Sequence, residues 1–102
     1  MGEQDAAEII WSRQALNQKQ RISDYFEYYA PAYCLKLMKA IYDAIHKMAR
    51  HPHAYPPDGR KWNNNGTYRF LVVYSYRVSF RIVGNTCRIV GIRHVKQEAK
   101  MY

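Results

Sequence analysis

The chain has 102 residues, of which 48 % are hydrophobic and 24 % charged, so it is long enough for one packed core and too apolar to be disordered. Its net charge of +8 is not spread evenly. Residues 1–59 balance to zero, with seven basic and seven acidic residues, and the excess lies wholly in residues 60–102, where nine Lys or Arg face the single acid Glu98. A concentrated cationic segment of this kind is built to meet a polyanion, and nucleic acid is the first candidate.

The composition sets further limits. No apolar run approaches the roughly 20 residues that span a bilayer, so no membrane partner is expected. The start of the chain, MGEQDAAEII, has neither a basic n-region nor an apolar h-region, so no secretory signal is expected. Cys34 and Cys87 fall in different elements and form no disulfide framework. A cytoplasmic protein follows from these readings.

The elements are taken in chain order. Glu8 to Trp11 (EIIW) is a short edge strand. Ser12 is placed to cap a helix from about Arg13 to Tyr29, whose apolar face carries Ala15, Ile22, Phe26 and Tyr29. Pro31 fits the first turn of a second helix, where its missing N–H is no loss. Cys34, Leu37, Met38, Ile41, Ile45 and Met48 form that helix's apolar stripe, and Pro52 ends it. So short a link makes the two helices an antiparallel hairpin.

Residues 51–67 (HPHAYPPDGRKWNNNGT) read as a loop, and loops of this length are often functional. Three strands follow. Tyr68 to Tyr74 is dense in β-formers. In Tyr76 to Val83, the alternation points Val78, Phe80 and Ile82 one way and Arg77, Ser79 and Arg81 the other. After the Gly84-Asn85 turn comes Thr86 to His94. The expected fold is α+β, a single domain over residues 1–102. A short N-terminal strand and a helical hairpin pack on a three- to four-stranded antiparallel sheet, with arginines on the open face.

No catalytic motif stands out. His51 and His53 lack ligand partners at metal spacing, apart from Asp58, so no metal is expected. No phosphate loop or nucleophile elbow is present, and no cofactor is called for. Carboxylates are nearly absent after Asp58, which argues against paired-acid hydrolysis. What remains is Arg69, Arg77, Arg81 and Arg93, with His94, Lys96, Lys100 and Tyr102. Arg77 and Arg81 share a strand face about 13 Å apart, and Arg69 is expected to reach the same face across the hairpin. Such an array can grip phosphates. With His94, Lys96 and Tyr102 to handle protons, it can also carry metal-free attack by an RNA 2′-hydroxyl.

The ordered set of elements resembles the RelE/ParE superfamily of toxins from bacterial type II toxin–antitoxin systems. The resemblance covers nearly the whole chain. Its carriers are IIWSRQAL, KMARHP and TYRFLVVYSYRVSFRIVGNTCRIVGIRHVKQEAKMY. It implies a growth-arresting toxin with a cognate acidic antitoxin that folds on it. RelE-like members cut mRNA on the ribosome with a basic cluster and a C-terminal tyrosine, whereas ParE-like members inhibit DNA gyrase. By position, Arg77 falls at the arginine for the scissile phosphate, and Arg69 within one residue of a family lysine. Lys96 falls at a second arginine position, Tyr102 at the C-terminal tyrosine, and His94 close to the histidine of other ribosome-dependent members. Phe70 to Val73 lacks the second lysine of the strongest RelE pattern, and no glutamate stands where some relatives keep a general base. The helical hairpin looks more ParE-like and the C-terminal basic pattern more RelE-like. The expectation is therefore ribosome-dependent mRNA cleavage, with gyrase inhibition as the rival and a non-catalytic RNA-binding module as a third reading.

Overall fold

The computed structural model of the chain describes residues 6–97 and 102. Strand β1 (Glu8–Trp11) leads into helix α1 (Arg13–Tyr29), then helix α2 (Pro31–Arg50) and a 3-10 turn (Pro52–Ala54). Strands β2 (Tyr68–Val73), β3 (Tyr76–Val83) and β4 (Thr86–His94) complete the regular elements among the described residues. The α+β class and the element order agree with the sequence reading. No helix among the described residues is long and apolar enough to cross a membrane.

Local signals set the boundaries. Ser12 is in an extended conformation, and its Oγ accepts from the Ala15 N–H at 3.0 Å, satisfying one of the donors that a helix start leaves open. Pro31 opens α2 directly after Ala30. The helices then run antiparallel, as the pairs Phe26–Tyr33, Ser23–Cys34 and Lys19–Tyr42 show. Gly84 turns β3 into β4 at a φ of 59°, in the left-handed region that glycine enters freely.

The sheet order is β1-β4-β3-β2. The β2–β3 and β3–β4 pairs are antiparallel, as expected of a meander. The fourth strand corrects the all-antiparallel picture, because β1 lies parallel to β4, with Ile9 opposite Cys87 and Trp11 opposite Ile89. Parallel strands need a long crossover, and the helical hairpin supplies it here.

The core lies between the helices and one face of the sheet. Leu37, Ile41, Ile45 and Met48 of α2 meet Val78, Phe80, Cys87, Ile89 and Ile92, all nearly inaccessible to solvent. The apolar stripe of α1 runs out toward its end. Ala15 is buried, Ile22 and Phe26 are half-buried, and Tyr29 is exposed in an aromatic group with Tyr25 and Tyr28.

A bulge in the β3–β4 ladder decides where the site can form. Ser79 pairs with Gly91 but Phe80 pairs with Ile89, leaving Val90 as the extra residue. Beyond Trp11 the chain leaves the sheet for α1, so the second half of β4 has the helix beside it and no strand. There Gln18 of α1 accepts the Ile92 N–H at 2.8 Å. This bond satisfies a backbone donor that the sheet leaves unpaired and fixes α1 against the edge of β4.

Candidate functional site: a basic sheet face tied to a buried aspartate

Residues on the open face follow from the register. Arg77 stands opposite Arg93 and Val72, Ser79 opposite Phe70, and Arg81 opposite Arg88 and Tyr68. Two arginine pairs therefore face each other across the β3–β4 ladder, an arrangement that costs stability unless an anion is supplied. The alternation read in the sequence placed Arg77 and Arg81 on one face, and the register adds Arg88 and Arg93 to it.

For the Arg77 pair the anion is built in. Asp58, at the end of the PPD segment, is 1 % exposed. The loop brings it there by pairing with the outer edge of β2. Pro57 bridges to Arg69, the Asp58 N–H donates to the Tyr68 carbonyl, and the Phe70 N–H donates to the Pro56 carbonyl. Asn64 locks the loop. Its amide donates to the carbonyls of Asp58 and Tyr68, while its oxygen accepts from Gly66 and Tyr68. Replacing Asn64 by Ala is expected to lower stability by about 1–3 kcal/mol, read from the urea midpoint, because it strands loop backbone groups.

Both carboxylate oxygens of Asp58 are used. Oδ1 pairs with Arg77 Nη2 at 2.7 Å and accepts the Arg60 N–H at 3.0 Å. Oδ2 accepts the Tyr102 hydroxyl at 2.5 Å. Burial pushes the Asp58 carboxyl up, but donors from Tyr102, Arg77, the Arg60 amide and Ser79 outweigh it and hold the group below the usual aspartate range. Burial and then the bond to Asp58 push the Tyr102 phenol well above its ordinary range. The phenol thus keeps its proton.

Tyr102 is docked by its backbone as well. Its N–H donates to the Arg60 carbonyl and its carbonyl accepts from the Trp62 N–H, both at 2.9 Å. Lys61 Nζ also donates to that carbonyl at 3.0 Å and lies near the rings of Tyr68 and Tyr102. Arg77 is equally fixed. Its guanidinium carbon sits 3.5 Å from the Phe70 ring centre, its side chain is 14 % exposed, and its Nε has no hydrogen-bond partner among the described residues. A pocket of about 220 Å³ opens beside this group, with Arg60, Lys61, Arg77, Arg93 and Tyr102 in its lining.

The other expected site residues lie elsewhere. Arg69 is a correction. It stands opposite Phe80, which is buried toward the helices, so it cannot share the face of Arg77. Strand side chains alternate, and the β2–β3 register puts Tyr68, Phe70 and Val72 on the open side instead. Arg69 is used to hold the loop through the carbonyls of Gly66, His53 and Tyr55. His94 lines a neighbouring hollow with Arg93 rather than the Arg77 pocket. It stands opposite the buried Tyr76 and packs edge-on against that ring, 5.4 Å between centres. Lys96 is exposed past the end of β4 and does not line the Arg77 pocket. Arg81 stays on the open face, its guanidinium 5.0 Å from the Tyr68 ring centre. Lys100 falls outside the described residues.

Asp58, Arg60 and Lys61 are the site residues that strand-based reasoning passed over. The signal available was a lone acid, flanked by PP and GRK, in front of a segment otherwise almost free of carboxylates.

Comparison with known proteins fits this architecture. Residues 9–99 match the family described as the ParE toxin of the type II toxin–antitoxin system parDE. Among solved structures, the chain is similar to the chromosomal ParDE toxin–antitoxin system of P. aeruginosa, with a TM-score of 0.69 at 17 % identity, covering 87 % of this chain and 96 % of that one. It is also similar to the RelBE2 toxin–antitoxin complex of Mycobacterium tuberculosis, with a TM-score of 0.59 at 14 % identity, covering 88 % of this chain and 99 % of that one. No curated protein sequence matches it. The structural likenesses are likenesses of fold, whereas the family match runs through every strand and both helices; the chain belongs to the ParE toxin family of type II toxin–antitoxin systems.

Proposed function

We propose that this toxin arrests growth by inhibiting DNA gyrase and not by cutting mRNA. The observation that carries the reading is the Asp58–Arg77–Tyr102 group. Metal-free cleavage needs a base for the 2′-hydroxyl, an acid for the leaving oxygen and a cation open to the phosphate. Here the cation at the position that resembles the nuclease arginine is already paired and largely buried. The phenol at the tyrosine position holds its proton tightly. The one carboxylate present is a poor base, because its proton affinity is held down. Arg69 lies on the other side of the sheet, and His94 does not line the Arg77 pocket. This arrangement supports a structural role for Arg77 and Tyr102 over a cleaving one.

The rest of the reading rests on the family, whose ParE-like members inhibit gyrase, as the resemblance implies. A cognate antitoxin is its partner, as in the ParDE and RelBE2 systems that share the fold. Such a partner, acidic and folding on the toxin, would complement Arg81 and Arg88, the facing pair on the sheet that Asp58 leaves uncompensated.

Two assays on the purified toxin decide between the mechanisms. Supercoiling by gyrase is expected to fail in its presence, while primer extension on translated mRNA is expected to show no new stops. Expression of Tyr102→Phe is expected to arrest growth as the unaltered toxin does. Intact supercoiling together with new mRNA ends would overturn the proposal in favour of the nuclease.

A further inference from the structure

The uncompensated charge is not confined to the sheet face. On α1, Arg13, Asn17 and Arg21 follow one another at four-residue spacing, with Gln14 and Gln18 beside them. That spacing makes one stripe along the helix. Gln18 fixes the stripe against β4 through the Ile92 N–H. Between stripe and strand lie two further hollows, of about 480 and 450 Å³, which continue from the Arg77 pocket. Arg93 lines all three, Gln14 lines two of them, and Gln18 and Arg21 line the outer two. The result is a continuous groove from Lys61 and Arg60, past Arg93, to Arg13, Arg21 and His94.

We propose that this α1–β4 groove binds the phosphodiester backbone of a nucleic-acid duplex, a contact separate from any grip on gyrase itself. No Asp or Glu among the described residues lines any of the three hollows. Among the described residues the ion pairs are Lys39–Asp43 and Arg77–Asp58, so Arg13, Arg21 and Arg93 have no carboxylate partner there. Apart from His94 and the Tyr76 hydroxyl, the polar side chains of the outer lining are guanidinium and carboxamide, groups that serve phosphate and sugar contacts. An acidic peptide folding here would need apolar anchors to offset its ordering, and the outer hollows offer only Ile22, Ile92 and the edge of Tyr76. A single strand would seek exposed rings to stack on. The exposed Tyr28 and Tyr29 belong to the far end of α1 and line none of the hollows; Tyr68 and Tyr102 line the first hollow, where Tyr102 is tied to Asp58, and the outer two hold no exposed ring. The dimensions suit a duplex. Arg13 and Arg21 are about 12 Å apart along the helix axis. That is about three to four phosphates of one strand, at about 3.4 Å each along a duplex.

The test is fluorescence anisotropy of the purified toxin with a labelled 20-base-pair DNA duplex, a duplex RNA of equal length and the single strands, with no gyrase present. Binding is expected to fall with salt at a log–log slope of about −3, for three arginines at about −0.9 per phosphate. Arg13→Ala, Arg21→Ala and Arg93→Ala should each flatten the slope by about one and weaken binding alike across sequences. Lys36→Ala with Lys47→Ala, which removes exposed charge from α2, should leave the slope unchanged. Tighter binding of one duplex assigns the backbone to DNA or to RNA, and either upholds the site. Four results would overturn it: a flat salt dependence, an equal loss in the α2 variant, preference for single strands, or displacement by polyglutamate of matched charge. Circular dichroism confirms that each variant is folded. Because the readout omits gyrase, failure of the gyrase proposal leaves this result standing, and the reverse holds too.

Discussion

Asp58→Ala is expected to destabilise the protein by about 3–5 kcal/mol, read from urea unfolding at pH 7. The reason is what it leaves behind. Arg77 is pressed onto Phe70 with a largely buried guanidinium, and without Asp58 that charge has no partner. Folded domains of this size hold about 5–15 kcal/mol in all, so such a loss is a large share of the total. The double variant Asp58→Ala/Arg77→Met is expected to recover most of it, because Met keeps the apolar stem over Phe70 and removes the stranded charge. A single-variant cost below about 1 kcal/mol would show that water already screens the pair. The pair also predicts an acid dependence. The Asp58 carboxyl is held below its unfolded value of about 3.9. Its contribution is therefore fully present above that value and is lost as pH falls through the lower, folded one. Unfolding midpoints at pH 7 and pH 3 should thus differ more for the unaltered protein than for the double variant. Equal differences would remove Asp58 as a source of acid sensitivity.

The parts of the fold that were legible in the sequence are those governed by local rules. Ser12, Pro31 and Pro52 mark helix boundaries through their own backbone chemistry, and β3 declares both its faces because apolar and polar residues alternate strictly along it. Strand β2 gave no such signal. In YRFLVV both faces are mostly apolar, so periodicity could not say which side Arg69 takes. The answer lay in pairing. With Val73 opposite Tyr76 across the turn, counting back places Arg69 opposite Phe80. The parallel approach of β1 and the return of Asp58 to Arg77, 19 residues on, are long-range events with no local signature. Asp58 also explains why a tally of strand charges overstated the free basic surface, since the anion that neutralises the central arginine comes from the loop. The charge left over lies at Arg81 and Arg88 and in the α1–β4 groove.

Arg69 separates a structural role from a phosphate-binding one. Arg69→Met is expected to lower stability by about 2–4 kcal/mol, the scale of one or two charge-assisted hydrogen bonds lost from partly buried partners. Its guanidinium gathers the carbonyls of Gly66, His53 and Tyr55, which join the two ends of the loop that carries Asp58. Releasing them frees that loop, so the loss is expected in thermal melting and in faster amide exchange over residues 53–66. A phosphate ligand behaves differently. If Arg69 gripped nucleic acid, its replacement would flatten the salt dependence of binding and leave the melting temperature alone. A variant that melts early but keeps the slope places Arg69 in the scaffold. The opposite pattern would put it back among the anion contacts, and would require the β2–β3 register to differ by one residue from the pairing of Arg69 with Phe80.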